Sequence, residues 1–147
     1  VAYHLNSEPS DSSPPAGKAS ERAPELAPRI HRVLIVEDEV FIQLDLEEEL
    51  RSAGFAVVGA VDTAEAAVRI AEAERPDIVV MDIRLRGARD GVDAALEIWQ
   101  RFAIRSVFAS GNIDDALRQR AAVAEPFGFI RKPYLASEVV ALLTAKN

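Results

Sequence analysis

Cysteine is absent from the sequence, which excludes disulfides, thiolate chemistry and any metal centre built on Cys ligands. No stretch approaches the roughly 18 consecutive apolar residues of a membrane-spanning helix, and the amino terminus carries neither the basic nor the apolar segment of a secretory signal. A cytoplasmic location without membrane association is therefore the expectation. Basic residues are outnumbered: 17 Lys and Arg against 24 Asp and Glu leave a net charge of -7, with an isoelectric point near 4.9. A chain of that sign is poorly suited to neutralising phosphates along DNA, so no direct nucleic-acid binding is expected. Glycine is scarce, 7 in 147 residues, and no Gly-rich phosphate loop follows the first apolar run, which argues against that kind of nucleotide site.

What is present suffices for one folded unit. With 49% hydrophobic and 28% charged residues, the chain supports one domain of about 100 to 150 residues with its own core. Five of the 8 prolines (Pro9, Pro14, Pro15, Pro24, Pro28) lie among serines within residues 1–30, where apolar periodicity is almost lacking. That segment reads as a disordered arm or linker, and the folded domain is expected over residues 31–147.

From Arg32 onward, short β-branched runs alternate with amphipathic segments. Val33–Val36 is a continuous apolar run suited to a strand buried on both faces, followed by Ile42, Leu46, Leu50 and Ala53 at helical spacing, with Gly54 at the helix exit. Ala56–Val61 reads as a second strand, and Asp62 with Glu65 resembles a capping box opening a helix that buries Ala64, Ala67, Val68 and Ala71. Ile78–Met81 is a third strand; a polar loop then leads to a helix with Val92, Ala95, Leu96 and Trp99 inward. Strands four and five fall near Arg105–Ala109 and Phe127–Ile130, and a last helix carries Val139, Leu142 and Leu143. Between Asn112 and Ala124 the apolar pattern is thin, so the fourth helix is expected to be short or mobile. Such alternation implies an α/β fold: a parallel five-stranded sheet with right-handed crossovers and helices on both faces.

Chemistry-bearing residues cluster at the strand ends. Glu37-Asp38 follow the first strand, Asp82 closes the third, Ser110 follows the fourth and Lys132-Pro133 the fifth. In a parallel α/β sheet that carboxyl edge is where ligands bind. Taken singly these features are ordinary, because an acidic pair commonly complements a helix N-terminus and Lys-Pro or Ser-Gly commonly marks a turn. Jointly they describe a phosphoryl acceptor site. Three converging carboxylates repel unless a cation sits among them, and Mg2+ suits an all-oxygen set. Asp82 would attack in line as nucleophile, Lys132 would neutralise the phosphoryl group and Ser110 would donate to its oxygens.

Residues 32–147 resemble the receiver domain of two-component response regulators. The matching motifs are Val33-Leu34-Ile35-Val36-Glu37-Asp38-Glu39, Met81-Asp82-Ile83-Arg84-Leu85, Asp90-Gly91, Phe108-Ala109-Ser110-Gly111 and Lys132-Pro133-Tyr134. The resemblance implies a flavodoxin-like, doubly wound sheet with strand order 2-1-3-4-5. It further implies Asp82 as phosphoacceptor, and Glu37, Asp38, Asp82 and the Arg84 backbone carbonyl as Mg2+ ligands. Lys132 and Ser110 then assist phosphoryl transfer, and Ser110 and Phe129 form a switch pair. A cis bond before Pro133 is implied too; Arg84 and Asn112, two residues beyond Asp82 and Ser110, fall where the family borders the phosphoryl group, so a role in phosphoryl lifetime stands beside a reading as solvated loop residues. The implied donor is a sensor histidine kinase or a histidine phosphotransfer protein, the implied output a downstream protein partner, and homodimerisation stays open. Two departures stand out. The loop Leu85–Gly91 lacks the family's usual proline, and Phe108-Ala109-Ser110-Gly111 is similar to the Phe-Ala-Thr-Gly signature of an atypical subgroup with a poorly formed fourth helix.

Other readings compete with this one. A haloacid-dehalogenase-type phosphatase would need a second acid where Arg84 stands, which disfavours it. A receiver-like docking or dimerisation module that is never phosphorylated remains the main alternative.

Overall fold

The computed structural model describes residues 29–145; most of the Pro/Ser-rich arm expected over 1–30 lies outside the described residues. Five strands alternate with five helices: β1 (Arg32–Val36), α1 (Val40–Ser52), β2 (Ala56–Val61), α2 (Ala64–Glu74), β3 (Ile78–Asp82), α3 (Gly91–Phe102), β4 (Arg105–Ser110), α4 (Asp115–Ala122), β5 (Gly128–Arg131) and α5 (Ala136–Ala145). The strands pair in parallel in the order β2-β1-β3-β4-β5. This is the doubly wound, flavodoxin-like sheet that the resemblance implies. Among the described residues, no helix is long and apolar enough to cross a membrane.

Strand alternation divides the interior in two. Leu34, Val36, Val79, Met81 and Phe108 face α2 and α3, where Ala67, Val68, Ala71, Val92, Ala95 and Ile98 are buried. Val33, Ile35, Ile78, Val80 and Val107 face α1 and α5, against Leu46, Leu50, Val139 and Leu143. Because β1 and β3 are covered on both sides, Val33–Val36 and Ile78–Met81 run apolar without a break, whereas β4 carries the buried Ser106 before Val107–Ala109. A fully buried leucine such as Leu46 or Leu50 stabilises the fold by roughly 2–3 kcal/mol.

Several local expectations need correction. Thr63, not Asp62, caps α2, its side chain accepting from the Ala66 N–H; either residue type can cap, and chain geometry chose the later one. The capping box lies instead at α3, where Asp90 and Asp93 exchange side-chain bonds with each other's backbone N–H. Ala53 is the exposed C-cap of α1 rather than an inward residue, and Gly54 takes the positive φ of 96° that follows it. On α3, Leu96 and Trp99 pack against the core as expected but only partly buried, while Ala94 and Ile98, not singled out, are fully buried.

The fourth helix is short, 8 residues with Ala121 alone buried. Polar contacts hold it in place of burial. Asp114 caps it through the Leu117 N–H. Arg120 reaches both carboxylates of the α3 box, with Nη2 at 2.9 Å from Asp90 and 3.0 Å from Asp93.

Candidate functional site

Register explains why the strand ends meet. Val36 pairs with Met81 in the β1–β3 ladder, so the next residues, Glu37 and Asp82, stand level. Asp82 pairs with Ala109 and Ser110 with Arg131, which brings Ser110 and then Lys132 one step further along the same edge. Alternation sets direction as well: Glu37, Asp82 and Lys132 share the parity of Ile35, Val80 and Ile130, the α1/α5 side, whereas Ser110 shares that of Phe108.

The distances bear this out. Lys132 Nζ lies 2.9 Å from Glu37 Oε2 and 3.2 Å from Asp82 Oδ1. Oxygens of Glu37, Asp38 and Asp82 lie within 4.8 Å of one another. Glu37 is only 2% exposed and Asp82 only 4%. The Glu39 N–H donates to Glu37 Oε1 at 3.1 Å and the Arg84 N–H to Asp82 Oδ1 at 3.2 Å. Lys132–Pro133 is the cis peptide bond. Asp38, Asp82, Arg84, Ser110, Asn112 and Lys132 all line one cavity of about 470 Å³. The Ser110 hydroxyl accepts the Asn112 N–H at 3.2 Å and donates to the Asn112 carbonyl at 3.1 Å. Phe129 stands apart from the cavity: its ring stacks on Phe108 at 5.7 Å, under the Arg118 guanidinium at 4.9 Å.

Burial pushes the Asp82 carboxyl up to about 7, helped by the neighbouring charge of Glu37 and opposed by Lys132. Burial works against the Lys132 ammonium, but its hydrogen bond to Glu37 and the Asp82 charge outweigh that and raise it. Burial, with the carboxylates of Glu37, Asp82, Asp45 and Glu39, also raises the Tyr134 phenol. Among the described residues Lys132 pairs with Glu37 and Asp82, and Asp38 adds a third carboxylate within 4.8 Å of theirs, so negative charge exceeds positive at this edge. Their donor set is all oxygen, which fits a hard divalent cation of the Mg2+ type.

Some contributors escaped the sequence reading. Arg120 reaches Asp90 and Asp93 across 30 and 27 residues and Gln43 reaches Val61 across 18, so neither contact leaves a local signature; nor does that of Arg118 with Phe129. The Asp90-x-x-Asp93 spacing, in contrast, is a capping pattern visible in the chain.

Comparison with known proteins agrees with this geometry. Residues 33–144 match the response regulator receiver domain model. The transcriptional regulatory protein PdtaR of Mycobacterium tuberculosis is 38% identical over 109 residues, covering 74% of this chain and 53% of that protein; the chain thus spans about half the length of that relative. Among solved structures, the signal receiver domain of a modulated diguanylate cyclase from Desulfovibrio desulfuricans superposes with a TM-score of 0.70 at 37% identity, covering 78% of this chain and 90% of that one. The CheX-CheY-BeF3-Mg+2 complex from Borrelia burgdorferi contains a chain with a TM-score of 0.72 at 25% identity, over 79% and 88% of the two chains. The fold, the strand-edge acids and these matches together make this chain a member of the response regulator receiver domain family, the phosphorylation-type switches of two-component signalling.

Proposed function

We propose that Asp82 accepts a phosphoryl group from a phosphohistidine donor, with Mg2+ held by Glu37, Asp38, Asp82 and the Arg84 carbonyl. The observation that carries this reading is the convergence of three carboxylates with one ammonium at the carboxyl edge of the sheet. When bound, Mg2+ supplies charge neutralisation for phosphoryl oxygens and relieves the repulsion among the acids. An Asp82 oxygen attacks phosphorus in line; the O–P bond forms as the N–P bond to the donor imidazole breaks, and the imidazole leaves with that electron pair. Lys132 offsets negative charge on the transferred group, and Ser110 exchanges its Asn112 contacts for one to a phosphoryl oxygen. Arg84 and Asn112, at the cavity wall, set phosphoryl lifetime by controlling the attacking water. Unchanged dephosphorylation rates in Arg84→Ala and Asn112→Ala would remove that role.

The donor is a sensor histidine kinase or a histidine phosphotransfer protein. Phe41 is 87% exposed, Val40 and Leu44 are exposed near it on α1, and Leu135 is exposed after the Lys132–Pro133 step. A cavity of about 390 Å³, lined by Ile42, Pro133 and Tyr134, adjoins Lys132 and Glu39. An apolar surface next to a reactive edge suits a partner that must bring its imidazole to Asp82. Movement of Ser110 toward the phosphoryl group shifts Phe129 and the surface around it, changing affinity for a downstream partner or a second copy.

Intact-protein mass after incubation with Mg2+ and phosphoramidate tests the reading. The expected result is a phosphoryl-sized gain that requires Mg2+ and is absent in Asp82→Asn. No gain in folded, Mg2+-competent protein would point instead to an unphosphorylated docking module.

A further inference from the structure

The β1–α1 turn carries two of the three acids, yet nothing at the start of α1 fixes it in the usual way. Helices α2, α3 and α4 each begin with a side-chain cap, whereas the N-cap of α1, Glu39, makes no side-chain cap bond. Gln43 does not supply that cap, which would accept N–H groups; it secures the turn through carbonyls instead. Its amide nitrogen donates to the Glu37 carbonyl at 3.1 Å and to the Val61 carbonyl at 3.3 Å. The Val61 carbonyl also takes the Glu37 N–H at 2.9 Å. The peptide plane joining Glu37 to Asp38 is thereby held by its carbonyl, and the preceding N–H is tied to β2. That plane cannot turn over without breaking the Gln43 bond to its carbonyl, and the Asp38 Cα hangs directly from it.

We propose that Gln43 is a positioning residue for the Mg2+ site, orienting Asp38 through the Glu37–Asp38 peptide plane. The inference rests on the reading of Glu37, Asp38 and Asp82 as that site. Gln43 itself touches neither the cation nor the phosphoryl group. Its contribution is to order a ligand before the cation arrives, so its loss weakens binding without removing a ligand.

Calorimetric titration with MgCl2 at neutral pH, without a phosphodonor, provides the test, and unfolding midpoints in EDTA establish that each variant is folded. Asp38→Asn serves as the reference for a lost ligand and Ile98→Val as a core change far from the site. Gln43→Met removes the donor without adding charge, and Gln43→Glu removes it while adding a negative charge that by itself would attract Mg2+. Both Gln43 variants are expected to bind Mg2+ roughly two- to tenfold more weakly, the equivalent of about one hydrogen bond, with Ile98→Val unchanged. Native affinity in both Gln43 variants, or tighter binding by Gln43→Glu, overturns the inference even if Asp38→Asn abolishes binding. If the native protein takes up no Mg2+, or Asp38→Asn makes no difference, the site reading itself fails and the role of Gln43 falls with it.

Discussion

Replacing Asp82 by Asn should stabilise the metal-free protein at pH 8, although Asp82 is the residue on which the proposed function depends. The buried carboxyl is pushed up to about 7, against about 3.9 for a free aspartate. A raised value means that the folded state holds a proton the unfolded state has lost, so stability falls as pH rises from about 4 to 7 and levels off above that. At about 1.4 kcal/mol per pH unit, the ceiling is about 4 kcal/mol. The neighbouring Glu37 charge raises the value and the Lys132 contact offsets part of the effect, so a gain of about 1–3 kcal/mol is the expectation. Urea denaturation in EDTA at several pH values measures it. Native and Asp82→Asn proteins should be close in stability near pH 4.5 and diverge toward pH 8, the variant being the more stable. Saturating Mg2+ should narrow the gap, because the cation removes the repulsion that the native carboxylate creates. A variant less stable than native at pH 8 without metal would refute the electrostatic account of the site.

Other consequences follow from neighbouring contacts. Lys132→Met removes the ammonium that pairs with Glu37 and Asp82, so Mg2+ affinity by calorimetry should rise by roughly two- to tenfold, while the yield of phosphoprotein by mass should fall. Arg120→Met releases α4 from Asp90 and Asp93; these are exposed pairs, so the global cost should be only about 0.5–1 kcal/mol, with α4 amides exchanging faster than those of α3. Gly91→Ala places a methyl group onto the Asp82 carbonyl oxygen, a backbone atom that cannot yield easily. It should cost about 3 kcal/mol or more in urea denaturation, and a near-neutral result would contradict the close approach of α3 to the strand end.

The sheet was legible in the chain because strands buried on both faces must be apolar throughout, as Val33–Val36 and Ile78–Met81 are. Their ends were legible because Asp82 and Glu37 interrupt those runs with charge. Helix entry was read less well: Asp62 and Thr63 are both good caps, and only the path of the chain decides between them. The fourth helix was expected short between Asn112 and Ala124 and is so, but what holds it against α3 was not readable. Its apolar pattern is thin, and Arg120 meets Asp90 across 30 residues, a separation that propensity and periodicity do not sense. Gln43 was missed for a related reason: on an amphipathic helix a glutamine reads as a solvated residue until the Val61 carbonyl is seen beside it.

The most direct measurement is borohydride trapping of the phosphorylated protein followed by peptide mapping. Hydride reduces an acyl phosphate to an alcohol and so converts the acceptor aspartate into homoserine, marking it in place. Homoserine at position 82 alone, appearing only when Mg2+ was present during phosphorylation, is the expected result. Homoserine at Asp38 or elsewhere, or phosphate retained on a hydroxyl such as Ser110, would contradict the assignment of Asp82 as the acceptor.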